Sequence, residues 1–96
     1  MNKDILSVEE LSELLGQDIM SKSRFDEVVR AKQGAWLYLF VKGLSYSKIA
    51  KMCGFRRQNI SNGVDRFEDL RKEGDRYTLE IWDKLKPYVR SPITID

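Results

Sequence analysis

Six polar side chains lie within seven consecutive positions near the middle of the chain and could contact nucleic acid. They are Arg56, Arg57, Gln58, Asn59, Ser61 and Asn62. Arginine matches the O6 and N7 acceptors of guanine, whereas asparagine and glutamine match N6 and N7 of adenine. The same groups also hydrogen-bond phosphate oxygens, and Arg56 suits a phosphate contact as well as a base contact. The alternative explanation is a solvated helix face.

The residues around this polar set have the spacing of two short helices joined by a tight turn. Ala50 is a small residue where the helices would touch, and Gly54, four positions later, suits a turn with positive φ. The apolar residues that follow recur at i, i+4 and i+7, as on one face of a helix: Ile60, Val64 and Phe67. Residues 45–67 therefore predict a helix-turn-helix, whose second helix could enter the major groove.

The net charge is only +2, but it is unevenly distributed. Residues 1–21 have a balance of −4, residues 22–57 a balance of +7, and residues 58–96 a balance of −1. The positive block thus coincides with the predicted helix-turn-helix and the segment before it, as expected for a surface that faces phosphates. The alternative is that these cations only cover a solvated face.

Composition limits the classes to which the chain can belong. Its 96 residues, 42% apolar and 33% charged, predict one domain over 1–96 with a core from about 8 to 86. The apolar segments are too short to span a membrane, no secretory leader is visible, and the lone cysteine cannot form an internal disulfide. We therefore expect a cytoplasmic protein without a membrane partner.

The residues needed for common catalytic and metal sites are missing. The chain has no His and one Cys, which excludes a Ser-His or Cys-His nucleophile and argues against structural zinc. We expect no catalytic residue, no metal, no cofactor and no enzymatic activity. Cys53 is interpreted as a small buried hydrophobic residue, and Trp36 and Trp82 as core residues.

Helix signals divide the chain into about five segments. A capping box at Ser7 and Glu10 predicts a helix over 8–15. The predicted helices that follow cover 24 to about 42, 46–53, 56 or 57 to about 72, and about 76–86, where Pro87 should end the last one. The second helix should bury Phe25, Val28, Val29, Trp36, Leu39 and Phe40. No segment has a convincing strand period, so the expected fold is an all-α bundle of about five helices.

Four motifs occur in a fixed order in the middle of the chain. They are DIMSKSR at 18–24, VVRAKQ at 28–33, QGAWLYL at 33–39 and LSYSKIA at 44–50. In this order they resemble the C-terminal DNA-binding domain of the bacterial replication initiator DnaA, which shows D-x-x-S-K-S-R, V-x-R-x-R-Q-x-A-M-Y-L and S-x-x-x-I-G. The resemblance covers about residues 8–73 and implies double-stranded DNA as the partner.

The resemblance also implies roles for particular residues. Arg30 takes the place of an arginine that enters the minor groove, and Lys32 that of a basic residue near the DNA backbone. Ser45, Ser47 and Lys48 fall where the family contacts phosphates. A helix N-terminus, with its free N–H groups and positive dipole end, favours that last assignment on physical grounds.

The chain departs from this family in its signature loop. Where the family has G-G-R-D-H-T-T-V, residues 54–60 are GFRRQNI, one residue shorter. We therefore do not expect binding to the initiator's DNA box. The chain also lacks a G-x-x-x-x-G-K-[ST] phosphate-binding loop, so the family's ATPase activity is not expected.

Two functional hypotheses follow from the sequence. The first is a sequence-specific double-stranded DNA-binding protein, acting as a transcriptional regulator or as a replication or mobile-element accessory factor. A homodimer through Ile81 and Trp82 is one hypothesis for how so small a domain gains specificity. The alternative is a protein-interaction module that keeps the fold without binding DNA. It would dock a partner through the acidic first helix and through Tyr77, Trp82 and Tyr88.

Overall fold

The computed structural model describes residues 5–90, with only the backbone of Arg90. This part of the chain contains five α-helices and no strand: α1 (Val8–Leu15), α2 (Asp26–Val41), α3 (Tyr46–Cys53), α4 (Arg57–Glu73) and α5 (Arg76–Arg90). The predicted all-α bundle is confirmed. The bounds of α1 and α3 match the prediction, and those of α4 agree to within a residue.

Helix α2 lies at the centre of the bundle and packs against α3, α4 and α5. Every residue from 34 to 39 is buried, so this part of α2 is enclosed on all sides, as expected of a helix that is apolar all round. The hydroxyl of Tyr38, fully buried in α2, accepts a 2.9 Å hydrogen bond from the backbone N–H of Leu6. This bond ties the segment before α1 to the core.

Two glycines allow the helices to approach closely. A Cβ on Gly63 of α4 would lie 2.5 Å from Cζ3 of Trp36, and one on Gly34 of α2 would lie 2.7 Å from Cγ2 of Ile81. Since real Cβ atoms do not come that close to other carbons, both positions need glycine for helix packing. Gly63 therefore serves the contact of α4 with α2, despite the low helix propensity of glycine.

Helix α2 differs from its prediction in its start and in two aromatic residues. It begins at Asp26 rather than at 24, because Phe25 is its extended N-cap residue. Phe25 is 74% exposed and Phe40 is 42% exposed, so the expectation that both are buried is wrong. The ring of Phe40 stacks on Tyr46, with centroids 4.5 Å apart, instead of entering the core.

Helix α5 was expected to end at Pro87, but it continues to Arg90. Proline in the last turn removes one backbone donor, and the next two residues, Tyr88 and Val89, pack against the core and hold this turn in place. Ile81 and Trp82 are 4% and 7% exposed. Because both pack in the core of one molecule, they offer little surface to a second copy, and the homodimer through the C-terminal helix stays a prediction.

Candidate nucleic-acid interface

The first two turns of α4 present the polar set to solvent. Arg57, Gln58 and Asn62 are exposed and Ser61 is half-buried. The remaining members of the set, Arg56 and Asn59, are also exposed. The apolar stripe of the same helix is buried, as predicted: Ile60, Val64 and Phe67. Further along the helix, the exposed carboxylates of Asp65 and Asp69 would repel phosphate, so they limit any anionic contact to the N-terminal half.

The N-terminus of α4 is open to a hydrogen-bonding partner. Its N-cap residue, Arg56, makes no side-chain hydrogen bond to the first turn, and that turn contains no acidic residue. In contrast, Ser7 caps α1 and Ser45 caps α3 through their hydroxyl groups. The first turn of α4 thus combines free backbone N–H groups, the positive end of the helix dipole and the guanidinium of Arg57, all of which favour an anion.

An amide pair fixes part of the exposed face of α4. Nε2 of Gln58 donates a 3.1 Å hydrogen bond to Oδ1 of Asn62, one helical turn later. The bond leaves the carbonyl oxygen of Gln58 and the amino group of Asn62 for a partner. This acceptor and this donor match the N6 donor and the N7 acceptor on the major-groove edge of adenine.

The turn before α4 is fixed to the core. Gly54 has a left-handed φ of 76°, and the N–H groups of Gly54 and Phe55 both donate to the carbonyl of Ala50, at 2.9 and 3.0 Å. The ring of Phe55 packs edge-on against Trp36, with centroids 5.3 Å apart. Since α3 and α4 also pack against each other, the start of α4 is held rigidly relative to α2 and α3.

Helix α3 and its N-cap residue expose Ser45, Ser47 and Lys48, as the DNA-contact hypothesis requires. Oγ of Ser45 accepts a 3.1 Å hydrogen bond from the backbone N–H of Lys48, so this hydroxyl serves as the helix cap. Lys51 is also exposed, and its position three residues after Lys48 puts both on one side of the helix. The sequence prediction missed Lys51, although this spacing was visible in the sequence.

Two lysines hold the loop between α1 and α2, one against the turn at 54–56 and the other against α2. Nζ of Lys22 donates to the carbonyl of Gly54 at 2.6 Å and lies 3.8 Å from the centre of the Phe55 ring. Nζ of Lys32 donates to the carbonyls of Ser21 and Ser23 at 2.8 and 3.4 Å. The loop is therefore held by cations that bind backbone carbonyls.

The position of Lys32 corrects its expected role. Its side chain is only 6% exposed, and burial, followed by the charge of Lys22, lowers the pKa of its ammonium group. An ammonium group that two carbonyls already occupy is poorly available to a phosphate. We therefore assign Lys32 to holding the loop, rather than to the DNA backbone contact that the resemblance implied.

Arg30 is hydrogen-bonded within α2. Its Nη1 donates a 2.7 Å hydrogen bond to Oε1 of Gln33, and its Nε is buried with no partner among the described residues. The hydrogen bonds from Thr78 lower the pKa of Asp75, and the charge of Arg30 adds to this effect. Arg30 thus lies within reach of Gln33 and of the start of α5, and the minor-groove role implied by the resemblance stays a prediction.

Two adjoining clefts separate the start of α4 from α2 and from the loop before it. Their volumes are about 340 and 650 Å³, and Phe55 and Asn59 border both. Polar and cationic side chains line them: Lys22, Ser23, Arg24, Lys32, Gln33, Arg56, Asn59, Asn62 and Arg66. Arg24 and Arg66 were not among the predicted site residues. Arg66 follows Asn62 at i+4, whereas only the tertiary fold brings Arg24 to this cleft.

Other kinds of site find little support in the part of the chain that the structure describes. Burial raises the pKa of the Cys53 thiol, consistent with a small core residue. Residues 5–90 contain no cluster of His, Cys, Asp or Glu side chains that could hold a metal ion. Over the same residues, no helix is both long enough and apolar enough to cross a membrane.

Comparison with known proteins gave no match. Neither a protein-family model, nor a curated protein, nor a solved structure is significantly similar to this chain.

Proposed function

We propose that this protein binds double-stranded DNA sequence-specifically, with α3, the turn and α4 acting as a helix-turn-helix. The observation that carries the proposal is the N-terminal half of α4. It exposes a run of Arg, Gln and Asn side chains without a carboxylate, on a helix start that lacks a side-chain cap. In this arrangement, Arg57, Gln58 and Asn62 would contact base edges in the major groove.

The surrounding charges support phosphate contacts beside the groove. Lys48 and Lys51 are exposed on α3, the helix that would cross the DNA backbone, and Arg24 and Arg56 border the cleft on the other side of the turn. Phosphate contacts of this kind position a protein on the duplex, while the base contacts specify the sequence. The motif resemblance to the C-terminal domain of DnaA favours the same region of the chain.

As part of this proposal, the protein acts in the cytoplasm by occupying DNA, without catalysis and without a cofactor. It would serve as a transcriptional regulator or as an accessory factor in replication or in a mobile element. The altered signature loop at 54–60 favours a target other than the initiator's box.

The test is selection of bound duplexes from a random pool, followed by binding assays on the selected sequence. Arg57→Ala and Gln58→Ala should each reduce discrimination against a wrong base, by about 5- to 150-fold for a contact worth about 1–3 kcal/mol. Lys48→Ala should weaken binding to all sequences alike and reduce the salt slope by about 1. Lys84→Ala, which removes an exposed cation of α5, is the matched control and should leave binding unchanged. If all three site variants lose the same affinity on every DNA sequence, the protein binds DNA only nonspecifically.

A second candidate function is a protein-interaction module, and a different surface favours it. Helix α1 and α3 border an apolar groove with carboxylates at its rim. The sequence suggested docking through three aromatic residues, but Trp82 is buried and Tyr77 and Tyr88 are half-buried. The groove is therefore the surface that favours this candidate. A folded chain that gives no mobility shift on mixed duplex DNA at low salt would favour this candidate over DNA binding.

A further inference from the structure

An apolar groove with an acidic rim lies on the side of α1. Its volume is about 750 Å³, and Val8, Met20 and Met52 are among the apolar side chains that line it. Met20 is 46% exposed, one of five large apolar residues that are exposed in the part of the chain that the structure describes. The exposed carboxylates of Glu9, Glu13 and Asp18 line the same groove. An occupant would need an apolar group with positive charge beside it.

The same chain exposes a surface of that chemistry at the end of α2. Phe40 and Val41, which we call the apolar corner, are 42% and 49% exposed, and they are followed directly by Lys42. The ring of Phe40 is held outside the core by its stack on Tyr46. Two neighbouring exposed hydrophobic residues on a rigid helix end are typical of a contact surface.

The charges around the groove and the apolar corner are opposite. Residues 4–18, which include α1, contain five acidic residues and no Lys or Arg. Residues 33–47, which include the apolar corner, contain Lys42 and no acidic residue. Two different patches with complementary charge and matching apolar character, both on one chain, fit the head-to-tail type of contact between copies.

We propose that the apolar corner of one copy docks in the α1–α3 groove of a second copy. Because groove and corner are different surfaces, a single contact leaves each copy with one of them unused, and the contact repeats from copy to copy as a ring or an open chain. Two side chains bury little area, so free copies associate weakly and transiently. The proposal does not rest on DNA binding, and it uses surfaces other than Ile81 and Trp82, which are buried.

Thiol crosslinking of the whole chain tests the contact without DNA. Met20→Cys and Val41→Cys place reactive thiols in the groove and on the apolar corner, while the native Cys53 is only 1% exposed. A short bismaleimide should convert a variant with both substitutions into a ladder of dimers, trimers and longer products. An equal mixture of the two single variants should stop at dimers, because each crosslinked copy has used its one thiol.

Two controls make the result decisive. Glu9→Lys with Glu13→Lys, in the crosslinking background, should lower the yield by about tenfold through charge repulsion. Leu79→Cys, on the exposed side of α5, reports random collisions, and circular dichroism checks that every variant is folded. If the mixture of the two single variants gives no more crosslinked dimer than Leu79→Cys does, the proposal is overturned. The occupant of the groove would then be a cationic segment of another protein. Met20→Cys crosslinking to itself as well as to Val41→Cys would also overturn it, because that result indicates a symmetric contact.

Discussion

Replacing Gly63 by Ala tests whether α4 is positioned by its close contact with α2. Two effects of the substitution oppose each other. Alanine favours the helix by about 1 kcal/mol over glycine, but its Cβ would lie 2.5 and 2.6 Å from Cζ3 and Cε3 of Trp36. Trp36 is 5% exposed and its ring contacts Phe55, so it cannot move without disturbing the turn. Such overpacking costs about 1–3 kcal/mol, and we expect a net destabilisation of up to about 2 kcal/mol.

Thermal and urea unfolding measure this balance. For a domain of this size, 1 kcal/mol corresponds to about 4–8 °C in the midpoint of thermal unfolding. Asp65→Ala is the control, since it adds a helix-favouring alanine on the exposed side of α4, and it should not destabilise the fold. Gly63→Ala should also cost at least about 1 kcal/mol less in a Trp36→Phe background, because the smaller ring leaves space. A Gly63→Ala protein that is as stable as the control would refute the packing argument.

Two further predictions each concern one side chain that accepts hydrogen bonds. Tyr38→Phe leaves the buried N–H of Leu6 without its acceptor and should cost about 1–3 kcal/mol in urea unfolding, while Tyr46→Phe should cost less than about 0.5 kcal/mol. Hydrogen bonds from the hydroxyl and N–H of Thr78 lower the pKa of Asp75 below its ordinary 3.8. Asp75 therefore stabilises the fold above that pH, and the contribution is lost as the pH falls through the lowered pKa. Asp75→Asn keeps an acceptor that does not titrate, so its thermal midpoint should fall less steeply than that of the wild type between about pH 5 and about pH 2. Equal slopes for the two proteins would contradict this assignment.

Local signals predicted the helices of this chain well. The capping box at Ser7 and Glu10 and the left-handed Gly54 set the limits of α1 and α3, because both act through hydrogen bonds within a few residues. The apolar period of α4 gave the correct buried face for the same reason. The prediction that α5 ends at Pro87 was wrong, because the packing of Tyr88 and Val89 against the core outweighs the lost backbone donor.

Tertiary contacts explain what the sequence could not reveal about the candidate site. Lys32 is part of a basic motif, but its ammonium group turns toward two carbonyls of a loop about ten residues earlier. Arg24 reaches the cleft beside α4 because Lys22 binds Gly54, 32 positions later. Neither contact can be recognised from neighbouring residues in the sequence. The basic block therefore predicted a positively charged surface, but it could not show which of its cations remain available to a partner.

The most direct test of the proposed function is a nuclear magnetic resonance titration of the isotope-labelled chain with a duplex obtained by selection. We predict that the backbone amide signals of residues 56–62 and 45–48 shift on addition of DNA, while those of α1 and of the exposed side of α5 do not. Shifts confined to α1 or α5, or no shift at low salt, would contradict the assignment of the N-terminal half of α4 as the DNA-binding surface.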